Sequence, residues 1–199
     1  MNPLSKILTD PNSFLKNIFH ALEKININVT NYELDHICYR TKNIAQYYFL
    51  KKELNNIGEL LTESKINGRP IATYKLHQPI ILKHNRFCAL RAGSPLLGLG
   101  AGGGKCTKPI MVQYIYKNRE IYLLELPSPK KGSHYPAGFE HVEFVINTSL
   151  EKFIAAHPNI DFDKKGMSKK TNPDVRVKFA GFSVKFHLHN LEYVIRYLD

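Results

Sequence analysis

Four ionisable side chains stand in strand-like segments whose neighbours are apolar: His36 in "LDHIC", Glu125 in "YLLEL", His141 in "EHVEFV" and His187 in "VKFHL". Imidazole and carboxylate are the side chains that hold Zn²⁺, Fe²⁺, Mn²⁺ or Ni²⁺ while leaving positions open for a further ligand. A lone histidine on a strand is most often a satisfied core or surface group. Four such residues, on segments that open or close similar stretches of chain, point instead to one shared site. Strand alternation sorts their companions. Leu34, His36, Cys38 and Arg40 are expected to face one way, and Asp35, Ile37 and Tyr39 the other. Phe139, His141, Glu143 and Val145 are expected to point together, which leaves Glu143 open as a ligand, a hydrogen-bond partner or a catalytic base. On the last strand Lys185, His187 and His189 share a face, with Val184, Phe186 and Leu188 on the core side. Arg40, Lys185 and His189 either bind an anionic substrate beside the metal or are simply solvated.

The elements that must position these residues read as two similar series. "DPNSFLKNIFHALEKI" is a helix with Asp10 as cap, Pro11 at the first helical position, and Phe14, Ile18, Leu22 and Ile25 at helical spacing. "YELDHICYR" is a strand, and "TKNIAQYYFLKKELNNIG" a helix capped by Thr41 or Asn43 and closed near Gly58. "ELLTESKI" and "RPIATYKL" flank Asn67-Gly68, a strong hairpin signal, and "REIYLLELP" is a further strand. From residue 140 the series restarts. It runs from the strand "EHVEFVI" through the capped helix "NTSLEKFIAAHP" and a weak strand or turn in "NIDFDKKG". One or two strands follow in "VRVKFAGFSVKFHLH", then a helical or extended "NLEYVIRYLD". Each half opens with a strand histidine, so the chain reads as a duplicated module. The expected divisions are an N-terminal helical segment (1–30), a first module (31–126), a linker (127–138) and a second module (139–199). The first module carries a surplus over residues 81–113, which contains no acidic residue. Its "GLGAGGGKC" is not a phosphate-binding loop: Leu99 stands where the pattern needs Gly, and Cys106 where it needs Ser or Thr.

Composition narrows the remaining classes. The 199 residues, 43% apolar with eleven Tyr and eleven Phe, can fill a globular core. No apolar run approaches the roughly eighteen residues of a membrane span, and the N-terminus lacks the apolar stretch of a secretory signal. Three cysteines (Cys38, Cys88, Cys106) make no disulfide framework and no CxxC pair, so a reducing cytoplasm is expected. The net charge of +11 is spread along the chain without a nucleic-acid motif, which makes nucleic acid the least favoured partner and suits a small anion. A homodimer is compatible with the sequence.

The segments "YELDHICYR", "INGRPIATYKL", "LLELPSPK", "GFEHVEFV" and "VKFHLHNLE" together resemble the YecM-like family of small bacterial proteins, which is related to the vicinal oxygen chelate superfamily of glyoxalases and extradiol dioxygenases. The resemblance covers the chain outside the surplus segment. It implies an α+β fold of two βαβββ modules forming a cupped mixed sheet, with a divalent metal (Zn, Fe, Ni or Mn) in the cup. It further implies metal ligands on the first and last strands of each module: His36 and Glu125, then His141 and, where the superfamily usually has Glu, His187. That last departure removes a carboxylate used for proton transfer in glyoxalases. The implied activity is that of a metal-dependent isomerase, lyase or dioxygenase acting on a small anion; the alternative is a non-catalytic anion-binding module.

Overall fold

A computed structural model describes residues 3–66, 68–82, 119–130, 132 and 136–198. Residues 83–113 of the surplus segment, with the Gly-rich loop and two of the cysteines, lie outside them. The helices are α1 (Leu4–Ile7), α2 (Pro11–Lys24), α3 (Ile44–Leu54), α4 (Leu150–Ala155) and α5 (Leu191–Tyr197). The strands are β1 (Glu33–Arg40), β2 (Gly58–Ile66), β3 (Arg69–Ile81), β4 (Glu120–Pro127), β5 (Gly138–Val145), β6 (Asp174–Phe179) and β7 (Phe182–His187).

Local chemistry explains where the helices start. The Asp10 side chain accepts from the Asn12 amide ahead of α2, with Pro11 at the first helical position. Asn43, not Thr41, caps α3 by accepting from the Gln46 amide; Thr41 is buried and donates its hydroxyl to the Pro127 carbonyl at 2.9 Å. Ser149 and Asn190 cap α4 and α5 in the same way, and the last segment is therefore helical.

All seven strands form one mixed sheet in the order β2-β3-β4-β1-β5-β7-β6. Strands β1 and β4 are parallel, as are β5 and β7, while β1 and β5 meet antiparallel at the centre. The β2–β3 hairpin turns where Ile66 pairs with Arg69, and Gly68 has φ +80°, the left-handed backbone such a turn needs. The second half differs from the first. Between α4 and β6 it has no strand among the described residues, and "NIDFDKKG" contributes only an Asp163–Arg176 bridge. It is thus βαββ where the first half is βαβββ.

One face of the sheet carries the apolar core. Ile37, Tyr74, Leu124, Val142, Phe144, Val184 and Phe186 are fully buried there. Phe144 stacks on Phe186 at 5.8 Å, Phe19 of α2 meets Phe144 edge-on at 6.2 Å, and Phe153 of α4 covers Phe186 at 4.6 Å. The opposite face is also buried around its centre, but by polar groups: His36, Thr73, His141, Glu143, Ser183, Lys185 and His187. No helix among the described residues is long and apolar enough to cross a membrane.

Candidate metal centre

Strand register gathers those polar groups, His187 excepted, into two rows across the sheet. One row runs Thr73, Glu125, Cys38, His141, Ser183, each paired with the next on neighbouring strands. The other runs Lys75, Leu123, His36, Glu143, Lys185, Arg176. Because β1 and β5 are central, the four donors His36, Glu125, His141 and Glu143 fall on three adjacent strands. One ligand atom from each lies within 4.8 Å of all the others.

Two irregularities in the β1–β5 ladder complete the arrangement. Leu34 pairs with Phe144 and His36 with Glu143, so Asp35 is an extra residue on β1. Cys38 pairs with His141 and Tyr39 with Phe139, so Glu140 is an extra residue on β5. An inserted residue in a ladder re-aims the side chain it carries. The Asp35 carboxylate therefore reaches Nδ1 of His36 at 2.8 Å, and the Glu140 carboxylate reaches Nδ1 of His141 at 2.6 Å. Simple alternation put Asp35 on the far face from His36 and Phe139 on the face of His141. The bulges reverse both: Phe139 packs against Tyr39 and Phe14 in the core instead.

With each Nδ1 anchored to a carboxylate, each Nε2 is turned inward. Nε2 of His36 lies 3.4 Å from Oε1 of Glu143 and 3.6 Å from Oε2 of Glu125; Nε2 of His141 lies 3.2 Å and 3.6 Å from the same two atoms. These separations are long for hydrogen bonds. They match the edges of a tetrahedron, about 3.3–3.6 Å, whose corners stand 2.0–2.2 Å from a central ion. Nε2 of His36 is buried and has no hydrogen-bond partner among the described residues. Burial acts against charge on His36, but the carboxylates of Glu143 and Asp35 outweigh it and hold its pKa well above the usual imidazole range. Burial likewise opposes charge on Glu125, and the neighbouring imidazoles of His141 and His36 outweigh it and hold its carboxyl far below the usual range. At Glu140 the contact to His141 and the charge of Arg40 overcome burial and lower the carboxyl to about 2.

The structure distributes the remaining site residues of the sequence reading around this group. Lys185 is inside it: its ammonium contacts Oε1 of Glu143 and lies 3.3 Å from Nε2 of His141. Arg40 sits one step out, its guanidinium 2.7 Å from Glu140. His189 is exposed and stacks on Tyr193 of α5. His187 forms a neighbouring group with Asp35 and His36, its Nε2 3.4 Å from Oδ2 of Asp35 and 3.8 Å from Oε2 of Glu143. The His189 amide donates to Oδ1 of Asn172, so the Asn172 amide nitrogen faces the His189 carbonyl and Nδ1 of His187. Burial lowers the pKa of the ring, and its Nε2, buried without a hydrogen-bond partner among the described residues, is turned toward the Asp35 and Glu143 carboxylates.

Asp35, Glu140 and Asn172 are the participants that the sequence did not disclose as such. The signal for two of them was present: both strand histidines are preceded by a carboxylate, in "DH" and "EH".

One mixed sheet, helices on its apolar face and a buried His/Glu/Asp group able to hold a metal ion define an α+β protein with a candidate metal centre. The chain belongs to the YecM family, whose description, "YecM protein", matches residues 3–197. It is 26% identical to Protein YecM of Escherichia coli strain K12 over 94% of this chain and 92% of that protein. It is 22% identical to a protein of Haemophilus influenzae described as uncharacterized, over 98% of this chain and 94% of the relative. Its fold is shared with the solved structure of Protein EC4020, a structural-genomics target. The TM-score is 0.69 at 23% identity, over 100% of this chain and 94% of the other.

Proposed function

We propose that this YecM-family chain is a divalent-metal protein whose four donors are His36 and His141 through Nε2, Glu125 and Glu143. We propose further that it binds a small anion in the vicinal oxygen chelate manner. The observation that carries the reading is Nε2 of His36: buried, without a hydrogen-bond partner among the described residues, and facing Glu125 and Glu143 at tetrahedral-edge separations. Such a nitrogen is costly to bury unless something is bound there.

Charge is compatible with the same reading. Asp35, Glu125, Glu140 and Glu143 supply four carboxylates, against four cations at His36, His141, Lys185 and Arg40, both imidazoles having pKa values held well above the usual range. A divalent ion that replaces the two imidazole protons keeps the cluster neutral, which a buried site favours. The β1–β4 and β5–β7 pairs, each a parallel opening and closing strand, have the arrangement expected of paired modules in that superfamily.

A divalent ion held by these four donors would supply Lewis acidity to two neighbouring oxygens of a small anion, which would take two further coordination positions beside them. The protein's own groups do the rest. Asp35 and Glu140 keep the imidazoles oriented. Lys185 and Arg40 give the surroundings their preference for negative charge. Cobalt(II) added to protein made without a polyhistidine tag tests this. A tetrahedral visible spectrum at one equivalent is expected, abolished in His36→Ala; no visible band in the wild-type chain would exclude the donor set.

A further inference from the structure

In the ladder, Glu125 occupies β4 beside Cys38, two residues beyond His36. The matching place in the second half is found by the same count: two residues beyond His141 is Glu143, and its partner on β7 is Lys185. Where the first half puts a donor carboxylate, the second half puts an ammonium. That ammonium does not point away. It contacts Oε1 of Glu143 and stands 3.3 Å from Nε2 of His141, the same two atoms that complete the donor group.

Resting on the metal-site reading above, we propose that Lys185 is a built-in competitor for the metal: its ammonium sits on two of the four donor atoms and must leave them when a divalent ion binds. An ammonium has three N–H groups and no lone pair, so it satisfies the donors as a cation without becoming a ligand. Its presence serves the metal-free protein. Glu143 is buried, and the ammonium joins the His36 imidazolium in offsetting its charge there. The same contact makes binding an exchange, in which the ion gains two donors only as the lysine gives them up. Affinity is set by the difference between the two cations on one seat.

The sign is the test. Zinc affinity is measured by competition with a chromophoric chelator on the full chain without a tag. The variants are Lys185→Met, which keeps the stem and removes the charge, and Lys185→Arg, which keeps the charge. Lys185→Gln serves as the second neutral variant should Lys185→Met fail to fold. The expected result is tighter binding in the neutral variant, by about tenfold or more, with Lys185→Arg at or below the wild-type affinity. The rise in melting temperature at saturating zinc should be larger in the neutral variant as well. Equal or weaker zinc binding by the neutral variant, with the wild-type chain binding zinc, overturns the competitor role and leaves the metal site standing. No zinc binding by any of these proteins overturns the metal site and the competitor together.

Discussion

A histidine offers a metal one nitrogen and needs something to hold the other. In this chain Nδ1 of His36 is held by Asp35 and Nδ1 of His141 by Glu140, so both rings present Nε2 to the same point. Glu140→Ala should therefore weaken zinc binding by about 10–100-fold while leaving the sheet intact, checked by chelator competition beside a circular dichroism spectrum. Unchanged affinity would mean that the carboxylate does not position the ring. Asp35 has a second duty, accepting the Leu191 amide at the start of α5, so Asp35→Ala should lose stability as well as affinity. The proton on His36 makes a pH prediction. Its folded pKa lies well above the unfolded value of about 6.5. In the metal-free protein its contribution to stability is complete below that unfolded value and is lost as pH rises through the folded one. Bound zinc, which competes with the same proton, should stabilise more as pH rises. Urea midpoints with and without zinc should diverge from slightly acid to alkaline pH, and parallel curves would contradict the assignment. At this scale His36, Glu125 and His141 were readable because an ionisable group in an apolar strand is conspicuous. Asp35 was placed on the far face from His36 and Glu140 was given no role, since alternation holds only where the ladder has no extra residue.

Helix starts were the most readable elements because their chemistry is local. Asp10, Asn43, Ser149 and Asn190 each meet an amide two or three residues on, within the same few letters of sequence. Asn43→Ala should cost about 1 kcal/mol of stability, measured by urea unfolding, with zinc affinity unchanged. The bulges lay beyond reach because they belong to the pairing of β1 with β5, more than a hundred residues away in sequence, and not to either strand. The missing strand of the second half has a similar cause. Residues 159–166 are short and polar, with Phe162 as the one large buried side chain, and they gain a single bridge to β6. His187 shows how an element can hide a role. Its strand reads as a ligand-bearing strand, and the ring it carries meets at Nδ1 the Asn172 amide from the loop ahead of β6. On the apolar side, Phe186 lies against Phe144 and Phe153 at the centre of the core. Phe186→Ala should cost about 3–5 kcal/mol, seen as a large loss in urea midpoint, and would displace β7 with Lys185 and His187 on its other face.

At the scale of the whole molecule, the seven strands form one sheet with two unlike faces. The apolar face holds the fold together through Phe144, Phe186 and the helices that cover them. The polar face collects donors from both halves, so neither half holds the centre alone: His36 and Glu125 come from the first, His141 and Glu143 from the second. That division was legible from the repeated strand histidine; the exchange of a carboxylate for Lys185 was not, because it appears only when the two ladders are compared by register. The most direct measurement is a zinc titration of the tag-free wild-type chain beside Glu125→Ala and His141→Ala, which remove one donor from each half. One equivalent bound by the wild type, with release of protons, and strongly weakened binding in both variants is the result expected. A wild-type chain that takes up no zinc, or variants that bind as tightly as it does, would contradict a metal centre shared between the two halves.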